Sequence, residues 1–341
     1  MMFAPLVMGY LTLDRKHDHT LPIRQDNTKN PRYFSKAFKA LVEAALLKYE
    51  GKGTVYLSKD ENLCFAKDIP VNIEQFDSLV VAEEAFHSNG IQYFSKEIYA
   101  KRGASIGPNC VVRAIASNAV LIFKEGCSVI RWADAEEGLY ALRDCNLGVS
   151  ASSASIIMLN LDCSFTRLFA PEIYVCADFS KVKPLSSLSR LVTANKQTTR
   201  NTSTSVELES VSPDEVLDCS IVSKAGLSLY EGCTVLGDVK SNKGIRIQKG
   251  VSITGNVFAE GNVVIEEDAY IGGAIFTQES VFLGPRCEVG RYGVTKSIVA
   301  RESVILCEGS TVYGYIHCER GGCTVSEDEF PDMIVHAKKH S

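Results

Sequence analysis

The sequence predicts an all-β fold, a three-sided β-solenoid (β-helix) with coils of about 18 residues in two blocks, plus one N-terminal amphipathic helix. The first observation is a six-residue repeat from Leu227 to Val289 that never slips phase. Its first position holds Leu227, Cys233, Val239, Ile245 and so on to Cys287, and its third holds Leu229, Val235, Ser241, Ile247 and so on to Val289. Apolar residues at i and i+2 suit a strand whose side chains alternate between faces, not a helix. The last three places of each hexad favour Gly, Asn, Asp, Glu and Lys, residues suited to corners. Short strands joined by corners and stacked at a fixed period make a solenoid. The second observation is a matching block, recognisable at Ile98 and locked from Leu121 to about Val175. The third is the cysteine spacing. Cys110, Cys127, Cys145 and Cys163 are 17, 18 and 18 residues apart, so three hexads close one coil. The residues before them, Asn109, Gly126, Asp144 and Asp162, match Gly232, Gly250, Asp268 and Arg286 in the later block.

Taken in order, residues 1–52 hold a lead-in and a helix over about 32–50. Asn30-Pro31 starts it, Phe34, Phe38, Leu41, Ala45 and Tyr49 recur at helical spacing, and Gly51 stops it. Such a helix is expected to cover the open end of the stack. Residues 53–182 comprise an unphased β lead-in to about 97 and then the first block. Residues 183–214 are read as a linker or a long excursion, with twelve Ser/Thr between Ser186 and Ser212. Residues 215–325 form the second block, interrupted once by a short hexad, GVTKS; its six or so coils give a rod of roughly 29 Å. Residues 326–341 are a tail that caps the last coil or hangs loose.

Composition narrows the function. Lys and Arg total 36 against 41 Asp and Glu, a net charge of −5, with no basic cluster to follow phosphates, so a nucleic-acid partner is not expected. There is no apolar run of membrane-spanning length. Met1–Leu11 (MMFAPLVMGYL) lacks the basic leader of a signal peptide; a terminal strand or plug is its first reading and a foot on a membrane surface its second. Twelve cysteines without a secretory signal argue for a reducing cytoplasm, and the absence of a CxxC pair argues against metal. Cysteine is read instead as a small residue recurring at an inward position. The expected location is cytoplasmic, or peripheral at the inner membrane face.

Residues 215–325 resemble the bactofilins, polymer-forming bacterial cytoskeletal proteins. The resemblance rests on the steps Gly237-Asp238-Val239 and Gly255-Asn256-Val257, with Gly273-Ala274-Ile275 a weaker copy. It implies a β-helix that joins end to end into filaments without nucleotide, often at the inner membrane face. The additional block and helix depart from that family's usual single β-helix between short tails. Ile106-Gly107-Pro108-Asn109-Cys110 and Leu283-Gly284-Pro285-Arg286-Cys287 also resemble the hexapeptide acyltransferases, which implies a site between subunits.

Catalytic candidates are few. Acyl transfer needs a histidine base. His317 is flanked by inward Ile316 and Cys318 and so faces outward, while His87 sits in a turn near Glu83 and Glu84. No phosphate loop, dinucleotide fingerprint, HExxH or GxSxG is present, and no cofactor or metal is expected. The simplest reading is a scaffold that associates with itself, or with another protein, through its coil ends, where unpaired edge groups invite pairing. The contact candidates are Val304, Leu306, Val312, Ile316, Val325 and Phe330. Two alternatives stand beside this: an acyltransferase with an inter-subunit site, and a monomeric adaptor with both ends capped.

Overall fold

The computed structural model describes residues 30–49, 54–58, 61–69, 73–88, 93–179 and 205–338. They form a β-solenoid of about 13 turns, with helices α1 (Tyr33–Leu46) and α2 (Phe330–Lys338) laid against it. In the second block the parallel register advances by one coil at each step, as in Leu227↔Ile245, Ile245↔Val263 and Val263↔Val281. Inward members of these ladders, among them Val239, Ile247, Val263 and Leu283, are fully buried, and one apolar core runs through both blocks.

The corners follow from backbone geometry. Asn109, Asp144, Asp162, Asp214, Asp268 and Arg286 adopt left-handed φ between 54° and 61°. Asn and Asp tolerate that region. Arg286 does not favour it, and is held by ion pairs to Asp268 (2.8 Å), Glu327 (2.8 Å) and Glu267. Directly after Asp144, Asp162 and the left-handed Gly126 comes an inward cysteine whose thiol donates to a carbonyl of the preceding coil. Cys127 reaches Gly107 O at 3.1 Å, Cys145 reaches Lys124 O at 3.1 Å and Cys163 reaches Leu142 O at 3.2 Å. The recurring thiol is thus a compact core residue that also satisfies a corner acceptor.

The Gly-[Asp/Asn]-[Val/Ile] steps stack in register. A Cβ on Gly255 would meet Gly237 O at 2.4 Å, and one on Gly273 would meet Gly255 O at 2.2 Å, so this column has no room for a side chain. Beside it, Asp238 Oδ1 accepts from the Asn256 amide at 2.7 Å, and Asn256 Oδ1 accepts from the Ala274 amide at 2.9 Å. The motif is a backbone-packing column flanked by a side-chain hydrogen-bond ladder.

Several expectations need correction. The solenoid begins before the hexads are legible, because Val80 pairs with Ile98, Phe86 with Ala104 and Gln75 with Tyr93. The second block starts at Ser205, inside the expected linker, since Val206 pairs with Ile221 and Val211 with Leu229. The short hexad is a corner excursion: the register jumps from Ile275 to Ile298 while Arg291 and Val294 bridge a small turn. Helix α1 does not cover an end. It packs on a flank, over the outward residues Val81, Tyr99, Ala116 and Trp132. Those four are apolar although they face away from the solenoid core; beneath α1, Val81, Tyr99 and Ala116 are buried and Trp132 is partly buried. Helix α2 occupies the expected tail and covers a flank of the second block through Phe282, Ile305 and Val325.

Candidate functional site

The region that bears on function is where the two blocks meet. The last coil of the first block ends in the long strand Ser164–Val175, and the last coil of the second in Thr311–Val325. These strands pair antiparallel, with Leu168 opposite Ile316, Phe169 opposite Tyr315 and Ile173 opposite Val312. Leu168, Ile173, Val312 and Ile316 are at most 1% exposed. At the neighbouring corner Thr324 Oγ1 accepts from the Cys163 amide at 2.9 Å and donates to Asn160 O at 2.7 Å. The blocks therefore stack C-terminal end to C-terminal end, with core and hydrogen-bond ladder continuous across the seam.

This arrangement relocates the predicted contact residues. Val312 and Ile316 lie at the seam, and Val304 and Leu306 lie one coil behind it, fully buried. Val325 and Phe330 belong to the cluster beneath α2. All six are buried, four at or behind the end that block one covers and two in the contact made by α2. Sequence reading could not separate a core or seam residue from an exposed end residue, since both are apolar.

The two outer ends of the rod differ. At the first block's beginning, Asn62–Phe65 pairs with Leu79–Ala82 on one side and with Val55–Tyr56, antiparallel, on the other. Ala66, Ile69 and Phe76 pack over the core there. At the second block's beginning, strands Ser205–Glu207, Ser210–Val211 and Val216–Leu217 each pair only inward among the described residues. Residues in a strand alternate in the direction of their hydrogen bonds. Ser228 and Tyr230 donate to Glu209 O and Val211 O, and Thr234 and Leu236 donate to Glu215 O and Leu217 O. The backbone groups of Ser210 and Val216 therefore point outward. Val206, Val211 and Leu217 are the register partners of the inward Ile221, Leu229 and Val235, with Val211 buried and Val206 38% exposed, and Glu209 and Glu215, both exposed, hold the register places of the inward Leu227 and Cys233.

The structure places the two candidate histidines, His317 and His87, apart from one another. His317 pairs across the seam with Arg167, whose Nε donates to His317 Nδ1 at 3.2 Å. Burial and then the Arg167 charge hold its pKa below the ordinary value. The Nδ1 lone pair is thus engaged by Arg167. His87 is exposed, and the nearby Glu83 and Glu84 are engaged by Lys101 and Arg102 at 3.9 and 2.8 Å. Among the described residues no group of three His, Cys, Asp or Glu is arranged to hold a metal, and all twelve cysteines are free.

Fold and seam together define a class: parallel β-helix proteins, here with two blocks joined end to end within one chain. Residues 227–324 match the model of the bactofilin family, described as polymer-forming cytoskeletal. The match lies wholly within the second block and includes its half of the seam. No curated protein matches the chain, and no solved structure does. No helix among the described residues is long and apolar enough to cross a membrane. Met1–Leu11, the candidate membrane foot, lies outside the described residues.

Proposed function

We propose that this chain is a cytoskeletal scaffold that assembles by pairing β-helix ends, without nucleotide or catalysis. One observation carries the reading: a bactofilin-type block already makes an end-to-end β-helix contact inside this molecule, through the seam between Ser164–Val175 and Thr311–Val325. The surface for a second copy, or for a partner protein, is the beginning of the second block, Ser205–Leu217, which replaces the six residues chosen from sequence. Paired with the same end of another copy it gives an isologous contact.

A second reading, the monomeric capped adaptor, is favoured by Glu209 and Glu215. Inward charges at a terminal strand are a known guard against edge pairing. Negative-stain microscopy together with sedimentation across protein concentration tests both. Val206→Asp and Ser210→Pro are the companion variants, the latter removing an outward N–H at the first residue of an edge strand, where proline is tolerated. Assemblies that both variants abolish support the scaffold. A uniform particle of monomer mass at every concentration supports the adaptor and refutes end pairing.

A further inference from the structure

Each block buries one outward apolar stripe beneath a helix of its own chain: Val81, Tyr99 and Trp132 under α1, and Phe282 and Ile305 under α2. One more stripe has no such cover among the described residues. In the second block Phe258, Phe276, Val299 and His317 follow one another in register on a single face. Phe258 and Phe276 stack with centroids 5.5 Å apart and planes within 7°, yet remain 37% and 39% exposed. Glu260, Gln278, Arg301 and Glu319 border them. The result is an apolar strip with charged margins.

The same face continues into the first block. His317 lies opposite Arg167, Arg167 neighbours Ser150, and Ser150 pairs with Trp132. Helix α1 lies on this column, with the Phe38 and Trp132 rings 5.5 Å apart. Its direction is fixed by its two ends. Arg32 bonds to Asp134, whereas Tyr49, just past the helix, packs on Phe65 at the far end of the block. The start of α1 therefore points toward the seam, on the face that carries Phe276 and Phe258 beyond it.

We infer that Met1–Leu11 is the cover of this stripe, docking on Phe258, Phe276 and Val299 of its own chain. The segment has no charged residue and contains Met1, Met2, Phe3, Leu6, Val7 and Met8, side chains suited to aromatic faces. The reach is sufficient. From the Asp134 row to the Phe276 row is five strand spacings, about 24 Å. Residues 12–29 span up to about 59 Å when extended. Docking would give the third stripe the treatment the other two receive, and would withhold the apolar segment from a membrane surface.

Amide hydrogen exchange on the full chain tests this, comparing wild type with Phe258→Ser/Phe276→Ser. Both side chains are exposed, so the solenoid should keep its own protection and serve as the internal folding control. The expected result is protection of residues 2–11 in wild type, reduced at least tenfold in the variant. A photo-crosslinker at Phe276 should capture residues 1–11 of the same chain. Equal exchange in both proteins overturns the inference, as does crosslinking only between chains. A third refuting outcome is protection that appears only when phosphatidylglycerol vesicles are added, which would make the segment a membrane foot.

Discussion

Replacing Asp134 with alanine should release α1 while leaving the solenoid intact. Asp134 is buried, its side chain 1% exposed, and its carboxylate accepts from Arg32 Nε at 2.6 Å, Arg32 Nη2 at 2.7 Å and Ser152 Oγ at 2.6 Å, with Lys39 Nζ at 3.2 Å. Arg32 is itself only 6% exposed, so the variant leaves a guanidinium in a largely dry site. Removing one partner of a buried ion pair costs about 3–5 kcal/mol. Arg32 keeps Glu136, which lies 2.8 Å away but is 37% exposed. That residual partner puts the expected loss at the lower end, about 3 kcal/mol, or roughly a hundredfold in the docking equilibrium. The exposed Lys224–Glu207 pair is a control, because such pairs contribute about 0–1 kcal/mol. The loss should appear locally, since α1 touches the solenoid only on its flank. Trp132 is the sole tryptophan and packs against Phe38, so its emission should shift to the red as the helix leaves. Amide protection of α1 should fall about a hundredfold, in line with that loss, while protection at Val112, Ile115 and Leu139 is kept. Unchanged α1 protection would refute the energetic argument. Uniform loss throughout the first block would refute the claim that the helix docks as a separate unit. Arg32→Met/Asp134→Leu, which removes both charges together, should recover most of the loss.

The same contact should respond to acid. The Arg32 hydrogen bond, outweighing burial and helped by Lys39, holds the Glu136 carboxyl down at about 2, below its ordinary 4.5. A depressed folded-state pKa means that this stabilisation is complete above about pH 4.5 and is lost as pH falls toward 2, which Trp132 emission should follow. Gly255→Ala forces a Cβ against Gly237 O and should cost the second block stability of about 1–3 kcal/mol, seen as an earlier denaturation midpoint. Glu209→Leu with Glu215→Cys gives the free coil the residues that Leu227 and Cys233 supply one coil inward. It should strengthen concentration-dependent association in sedimentation, and no change in mass distribution would refute a role for those charges.

Much of the architecture was legible because a solenoid writes its geometry locally. The hexad phase gave the strands, and the matching residues before the cysteines marked the corners, whose left-handed backbone at Asn109, Asp144, Asp162 and Arg286 only the structure shows. The coils before Ile98 were hidden because Val81 and Tyr99 face outward and are apolar, which erases the alternation on which the reading depends. Ser205–Asp214 looked like linker because its composition is polar and its inward place at 209 holds glutamate where the next coil has Leu227. The seam left no sequence signal at all. It joins strands some 150 residues apart, as in the Arg167–His317 contact, and depends on two apolar ends meeting in space. The assignment of Phe330 to an end rather than a flank failed for the same reason.

The reversed stacking of the blocks also sets a rule about tether length. The first block finishes at the seam, where the Ala177 amide donates to Glu308, whereas the second begins at Ser205, the coil farthest from it. From Ile316 back to Val206 the register takes six steps, about 29 Å, so the connecting residues 180–204 must bridge that distance for one molecule to close its own seam. Extended chain covers about 3.3 Å per residue, which puts the minimum near nine residues. The native connection, 25 residues, is nearly three times that and permits closure in cis. Below the threshold, each first block can complete its ladder only with the second block of a neighbour, and the same two ends become a means of exchange between chains. The length of this Ser/Thr-rich stretch, more than its composition, decides whether the seam is private to one molecule or shared.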